Sequence, residues 1–223
     1  MSGAQLSGVF NISGGNQGGY WQSAGVVNVA SGTFQGIQSA GVVNIASDVV
    51  GIQASGVVNI ASKVKGYQIG LVNINSGIDG AGAGLIFISP DAFYHPTLVF
   101  DNLGRTHAMF QWGMGWLYWM AGVVADSRTA SVTKTWDQLG GVGIKVNGGF
   151  TFLDVDGGWM SRFSTAQYTG GAPYIRAALG TQSNWAALEV GFLSYLDPSV
   201  LVWASGPSQA LVQGSWFAGV RFF

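Results

Sequence analysis

The phrase GVVNIAS constrains this chain more than any other feature. It stands at 41–47 and again at 56–62, with an edited copy, GVVNVAS, at 25–31. A glutamine precedes each asparagine by six residues, giving YWQSAGVVNVAS (20–31), GIQSAGVVNIAS (36–47) and GIQASGVVNIAS (51–62). Worn copies flank these, QLSGVFNISG at 5–14 and GYQIGLVNINSG at 66–77. The glutamines are Gln5, Gln22, Gln38, Gln53 and Gln68, and the asparagines Asn11, Asn28, Asn44, Asn59 and Asn73. Self-similarity at this period is the signature of a stacked or serially copied supersecondary unit. Valine and isoleucine mark that unit as strand. Alternation then separates two faces. Ile52, Ala54, Gly56, Val58 and Ile60 share one, and Gln53, Ser55, Val57, Asn59 and Ala61 the other. In the last copy Gln68 and Asn73 are five residues apart, which sends them to opposite faces and predicts a bulge or a change of role there.

Two architectures accept such a unit. A solenoid coil stacks its amides into ladders. Alternatively, a strand of about 11 residues plus a turn of about four makes one membrane-crossing β-strand. Composition bears on the choice. The chain is 48% hydrophobic and only 9% charged, against about 25% charged in ordinary soluble domains. No run of roughly 18 or more apolar residues offers a transmembrane helix. The net charge of −1 gives no basic footprint for nucleic acid. The first eight residues, MSGAQLSG, lack the basic start and apolar core of a secretory leader, which fits a mature chain with an added Met.

From residue 91 the repeat is gone but the alternation persists. HAMFQWGMGWLYWMAG (107–122) sets Phe110, Trp112, Met114, Trp116, Tyr118 and Met120 on one face, with Trp119 on the other. A water-facing surface seldom shows such a ridge uncovered. In 142–152, Val142, Ile144, Val146 and Phe152 face outward and Lys145 inward. In 210–223, Trp216 and Phe222 face outward and Arg221 inward. Most charges, including Asp79, Asp91, Asp101, Arg105, Asp137, Asp154 and Asp156, fall where turns are expected. Lys145, Arg162, Arg176, Glu189 and Arg221 fall inside strands. Arg or Lys on a lipid face costs roughly 2–4 kcal/mol at the midplane, and banding of charge into turns is what that penalty produces.

The units GIQASGVVNIA, GYQIGLVNI and GAGLIFIS resemble those of bacterial surface-repeat proteins, with their GxQxGLxNIA pattern, across residues 1–90. The aromatic last strand resembles the assembly signal of bacterial outer-membrane barrels, although Phe222 and Phe223 are adjacent rather than alternating. The overall pattern is also similar to outer-membrane proteins of predatory bacteria that assemble as rings around trapped lipid. This resemblance implies a bacterial outer-membrane location, a homo-oligomeric ring and bound lipid. It brings no catalytic motif.

A search for chemistry yields little. His95 and His107 have no three-ligand zinc spacing around them. GIDGAGAG (77–84) lacks a phosphate-loop context. DVDGG (154–158) lacks the closing Glu of a calcium loop and is expected to be a hairpin turn. GTQSNW (180–185) has no triad partners.

The expected fold is therefore all-β: one antiparallel transmembrane β-barrel over 1–223, of roughly 12 strands by the strand-plus-turn length. Repeat strands would occupy 1–90 and irregular aromatic-rich strands 91–223. The candidate interior polar residues are Gln22, Gln38, Gln53, Asn28, Asn44, Asn59, Lys145, Arg176, Glu189 and Arg221. The candidate lipid- or protomer-facing residues are Phe110, Trp112, Met114, Trp116, Tyr118, Trp119, Trp216 and Phe222. The expected function is non-enzymatic: an outer-membrane homo-oligomer that contacts or encloses lipid, with no metal or organic cofactor. A porin with Lys145, Arg176, Glu189 and Arg221 lining its lumen is one alternative. A β-solenoid surface adhesin is another.

Overall fold

The computed structural model describes residues 3–126, 135–164, 167–196 and 212–223, and every regular element among them is a β-strand. The chain divides into two compact units, residues 1–93 with 113–117, and residues 94–112 with 118–223.

The first unit holds β1 (Gly3–Ser7), β2 (Phe10–Ser13), β3 (Gln17–Ala24), β4 (Val27–Ala40), β5 (Val43–Ser55), β6 (Val58–Ile60), β7 (Lys63–Ile69), β8 (Val72–Ile74), β9 (Ile78–Ala83) and β10 (Ile86–Ile88). These strands pair with one another in parallel, one repeat over the next, so Gln22 lies on Gln38, Gln38 on Gln53, and Asn28 on Asn44. This corrects the expected antiparallel strand-plus-turn arrangement: each unit is a complete coil of a solenoid. The physical reason is that in-register parallel stacking sets the repeated side chains against their own copies. Amide then meets amide, and valine meets valine, on each face.

The solenoid interior has two polar columns and one apolar column. The apolar one is built from Phe34, Val49 and Val64 beside Ala30, Ala46 and Ala61. Where the chain turns into the amide-bearing strand, Gly36, Gly51 and Gly66 have φ near +133° (132°, 134° and 133°). A Cβ on Gly51 would lie 2.1 Å from the carbonyl oxygen of Gly36. Only glycine tolerates both the dihedral and the approach. The outer surface of the amide-bearing strands is aliphatic, with Ile37, Ile45, Val42, Val57, Ile69 and Leu71 exposed. The remaining side carries Thr33, Asp48 and Lys63 in register, and Lys65 against Asp79.

The second unit is a closed eight-stranded antiparallel barrel. It is formed by β11 (Ala92–Asp101), β12 (Arg105–Gly115), β13 (Leu117–Asp126), β14 (Thr135–Asn147), β15 (Thr151–Ser164), β16 (Gln167–Gln182), β17 (Ala186–Leu196) and β18 (Val212–Phe222). Pairing of β11 with β18, Thr97 opposite Arg221, closes it. The barrel has eight strands rather than about twelve because the repeats build the solenoid instead. The tip 113–117 of the β12–β13 hairpin belongs to the first unit. There Met114 and Gly115 pair with Gly82 and Ala81 of β9.

Candidate functional site

Both amide columns are continuous hydrogen-bonded ladders. The glutamine ladder donates backward along the chain: Gln22 Nε2 to Gln5 Oε1 (3.0 Å), Gln38 to Gln22 (2.8 Å), Gln53 to Gln38 (2.9 Å) and Gln68 to Gln53 (2.8 Å). The asparagine ladder donates forward: Asn11 Nδ2 to Asn28 Oδ1 (2.9 Å), Asn28 to Asn44 (2.9 Å), Asn44 to Asn59 (3.1 Å) and Asn59 to Asn73 (2.9 Å). The second hydrogen of Gln38, Gln53, Asn28, Asn44 and Asn59 goes to a backbone carbonyl, as Asn44 does to Ala54 O at 2.6 Å and Gln53 to Ile60 O at 3.2 Å, and that of Gln22 goes to Ser13 Oγ at 3.4 Å. Gln22, Gln38, Gln53, Asn28, Asn44 and Asn59 are all fully buried. They bind one another, which leaves no amide presented to a ligand.

The fifth copy departs from expectation. Gln68 and Asn73 both point inward and both continue their ladders. The missing residue is taken from the corner: Ile69 aligns with Ala54 and Val72 with Val58, so residues 55–57 face only Gly70 and Leu71. A corner absorbs a deletion without reversing either strand. Beyond this coil the columns end in apolar groups, with Gly82 over Gln68 and Phe87 over Asn73. Asn75 closes the glutamine ladder by donating to Gln68 Oε1 at 2.8 Å.

The barrel interior is charged. Arg176 donates through Nε to Asp156 Oδ2 (2.9 Å) and through Nη1 to Glu189 Oε1 (3.3 Å). Tyr118 donates its hydroxyl to the same Asp156 oxygen at 2.7 Å. Arg221 lies 2.6 Å from Asp154 Oδ2, pairs with Glu189, and packs 4.5 Å over the Phe152 ring. Lys145 sits 3.4 Å from His95 Nδ1 and over the rings of Phe152 and Phe223. Three carboxylates and three cations thus brace the wall across β14 to β18. A second cluster ties the β11–β12 turn. Asp101 accepts from the Leu103 and Arg105 amides (3.0 and 2.9 Å), from Arg105 Nε (2.7 Å) and from His107 (3.0 Å). Arg105 also reaches Tyr195 and Ser215. Gln111 is fully buried, and neither of its amide atoms has a hydrogen-bond partner among the described residues.

Lys145, Arg176, Glu189 and Arg221 therefore occupy the barrel interior. Asp154 and Asp156 were expected in a turn, yet they lie inside β15 and are as buried as their cationic partners. The overlooked signal is the alternation of FLDVD itself, with Phe152, Asp154 and Asp156 inward and Leu153 and Val155 outward. Gly158 follows because a Cβ there would meet Gly140 O at 2.0 Å, not because the chain turns. Phe110, Trp116, Trp119, Trp216 and Phe222 are exposed, and Trp112 is half-buried. Met114 and Tyr118 are fully buried, which corrects their outward assignment. Met114, ahead of the turn, is covered by its packing over Gly82 of β9. Gly115 turns at φ 72° between β12 and β13, so the alternation changes phase at the hairpin and Tyr118 comes inward. Phe152 is inward for the same reason, with the β14–β15 turn between it and Val146.

Among the described residues no three His, Asp or Glu side chains converge as a metal site. No family profile and no curated protein matches the chain.

Proposed function

We propose that this is a non-enzymatic bacterial outer-membrane protein whose barrel crosses the lipid. In this reading its subunits associate with one another and with membrane lipid to organise the outer membrane. One observation carries it: the barrel's polarity is inverted relative to a water-soluble barrel. Its inner wall holds Lys145, Asp154, Asp156, Arg176, Glu189 and Arg221, while its outer wall shows Val142, Ile144, Val155, Ile175, Leu179 and Val190. Strands of 10 to 16 residues match or exceed the roughly 9–11 needed to cross a hydrocarbon core. Several exposed aromatics lie toward the strand ends, while Phe110, Trp159 and Phe192 stand mid-strand. Phe150, Trp185, Phe222 and Phe223 lie toward one rim, and Phe100, Trp136 and Trp216 toward the other, in the manner of interfacial girdles. A dent of about 620 Å³ in the outer wall offers an apolar seat for an acyl chain. It is floored by Ala108, Ala121 and Gly122 and flanked by Leu98, Phe110, Val123 and Phe222. The cross-braced interior favours a structural role over an open diffusion channel.

The test is electrophoretic mobility in SDS with and without boiling, after detergent extraction. A heat-modifiable band is expected. A detergent-free soluble protein with no shift would sink the reading. Ile144→Lys and Leu179→Lys sharpen it, since each should cost roughly 2–4 kcal/mol on a lipid face but within about 0.5 kcal/mol on a watery one.

A further inference from the structure

The two ends of the solenoid differ. At the C-terminal end the columns finish in Gly82 and Phe87, and the Met114 side chain fills the space over Gly82, where an added Cβ would lie 2.2 Å from its terminal methyl. At the other end β1 pairs in register with β3, and β2 with β4, leaving their outer edges without a registered strand among the described residues. The corner glycines measure the opening. A Cβ on Gly25, Gly41 or Gly56 would meet the preceding coil's carbonyl at 2.1–2.3 Å, whereas one on Gly8 meets nothing within 4 Å. The outward-pointing residues of this coil are also well exposed, Leu6 at 70%, Phe10 at 61% and Ile12 at 65%. An unblocked strand edge of this kind templates pairing with another chain.

The polarity of the ladders says what would pair. Gln5 Oε1 is already taken by Gln22, while its Nε2 makes a single 3.3 Å bond to Ile12 O, leaving one hydrogen to donate. Asn11 spends its Nδ2 on Asn28, Ser23 O and Gln5 O, leaving Oδ1 to accept. One column thus ends in a donor and the other in an acceptor, three residues on either side of Gly8.

We propose that this open end is a two-fold docking surface for a second copy of the chain, with β1 antiparallel to the partner's β2 across an axis at Gly8. A two-fold rotation there exchanges the two strands. It sets Gln5 opposite the partner's Asn11, donor to acceptor, and the reciprocal pair forms by symmetry. Leu6 then faces the partner's Phe10, and Ala4 the partner's Ile12, apolar against apolar on the outer side. Direct superposition of like ends, Asn11 on Asn11, would set acceptor against acceptor. The contact closes on itself, so it gives a dimer or an even-numbered assembly. It does not depend on the membrane reading.

The chain has no cysteine, so Gly8→Cys in the full chain in detergent places one thiol on the axis. Mild oxidation should give a disulfide-linked dimer, with Phe150→Cys, exposed on a barrel turn, remaining monomeric as control. Gln5→Glu keeps the acceptor for Gln22 but removes the outward donor at both symmetric positions, and should weaken dimerisation roughly tenfold or more. Protease resistance of the first unit reports folding of each variant. A Gly8→Cys protein that keeps this resistance yet stays monomeric under oxidant overturns the proposal, as does a Gln5→Glu protein with unchanged dimer affinity. Loss of the boiling shift in the parent chain would count against the membrane role and leave the dimer standing.

Discussion

Gln53 and Arg221 are both completely buried, yet they are satisfied in ways that do not interchange. Gln53 sits between two copies of itself, donating to Gln38 and accepting from Gln68. Arg221 sits between unlike groups, Asp154, Glu189 and the Phe152 ring. A stacked repeat places identical side chains over one another, so its buried polar residue must be neutral and both donor and acceptor. An amide meets that requirement, and a column of arginines or aspartates would repel. Barrel neighbours differ in sequence, so opposite charges can be apportioned among β15, β16, β17 and β18. Internal symmetry, more than burial, decides which polar chemistry each unit carries.

The contrast can be broken at graded cost. Arg221→Met should do the most damage, about 3–5 kcal/mol, because it strands Asp154 without its partner. The denaturant midpoint of the boiling shift measures it. The double variant Asp154→Leu with Arg221→Met should recover part of that loss, since an apolar pair replaces a buried ion pair at little net cost. No recovery would mean that Asp154 is not what Arg221 neutralises. Gly51→Ala should cost roughly 3 kcal/mol through its dihedral and its clash with Gly36, read as loss of protease resistance in the first unit. Asn44→Ala, which severs the ladder mid-column, should cost about 2 kcal/mol. Asn11→Ala, at the column's end, should cost under about 1 kcal/mol in that same assay. Equal losses at Asn11 and Asn44 would show that the ladder is not cooperative along its length.

Much of the inward and outward assignment was legible in the sequence, whereas the split into a solenoid and a separate barrel was not. The alternation of GIQASGVVNIAS placed the amides inside and the aliphatics outside, and Lys145 and Arg221 followed from the same rule. The pairing partner was not legible, because a strand's own pattern tells which way each residue points but not which strand lies beside it. Repeats with the same amide phrase running in the same direction do favour parallel stacking, since antiparallel neighbours would set glutamine against asparagine. Phase was misread wherever a turn intervened. Tyr118 and Phe152 lie beyond turns that reverse the count, and Gly115 was the one local marker at the first. Asp154 and Asp156 were hidden by a Gly-Gly that looks like a turn and is a place of close strand contact.

Because donor and acceptor polarity is the same at every step of the ladders, each central coil of the first unit presents the same pair of surfaces to its neighbours. An in-frame duplication of one unit would insert a coil that finds the contacts its parent already had. The height of the stack is therefore a matter of how many repeat units the coding sequence holds rather than of fold. Unequal recombination within this stretch of coding sequence would lengthen or shorten the protein by whole coils while leaving every remaining interface intact.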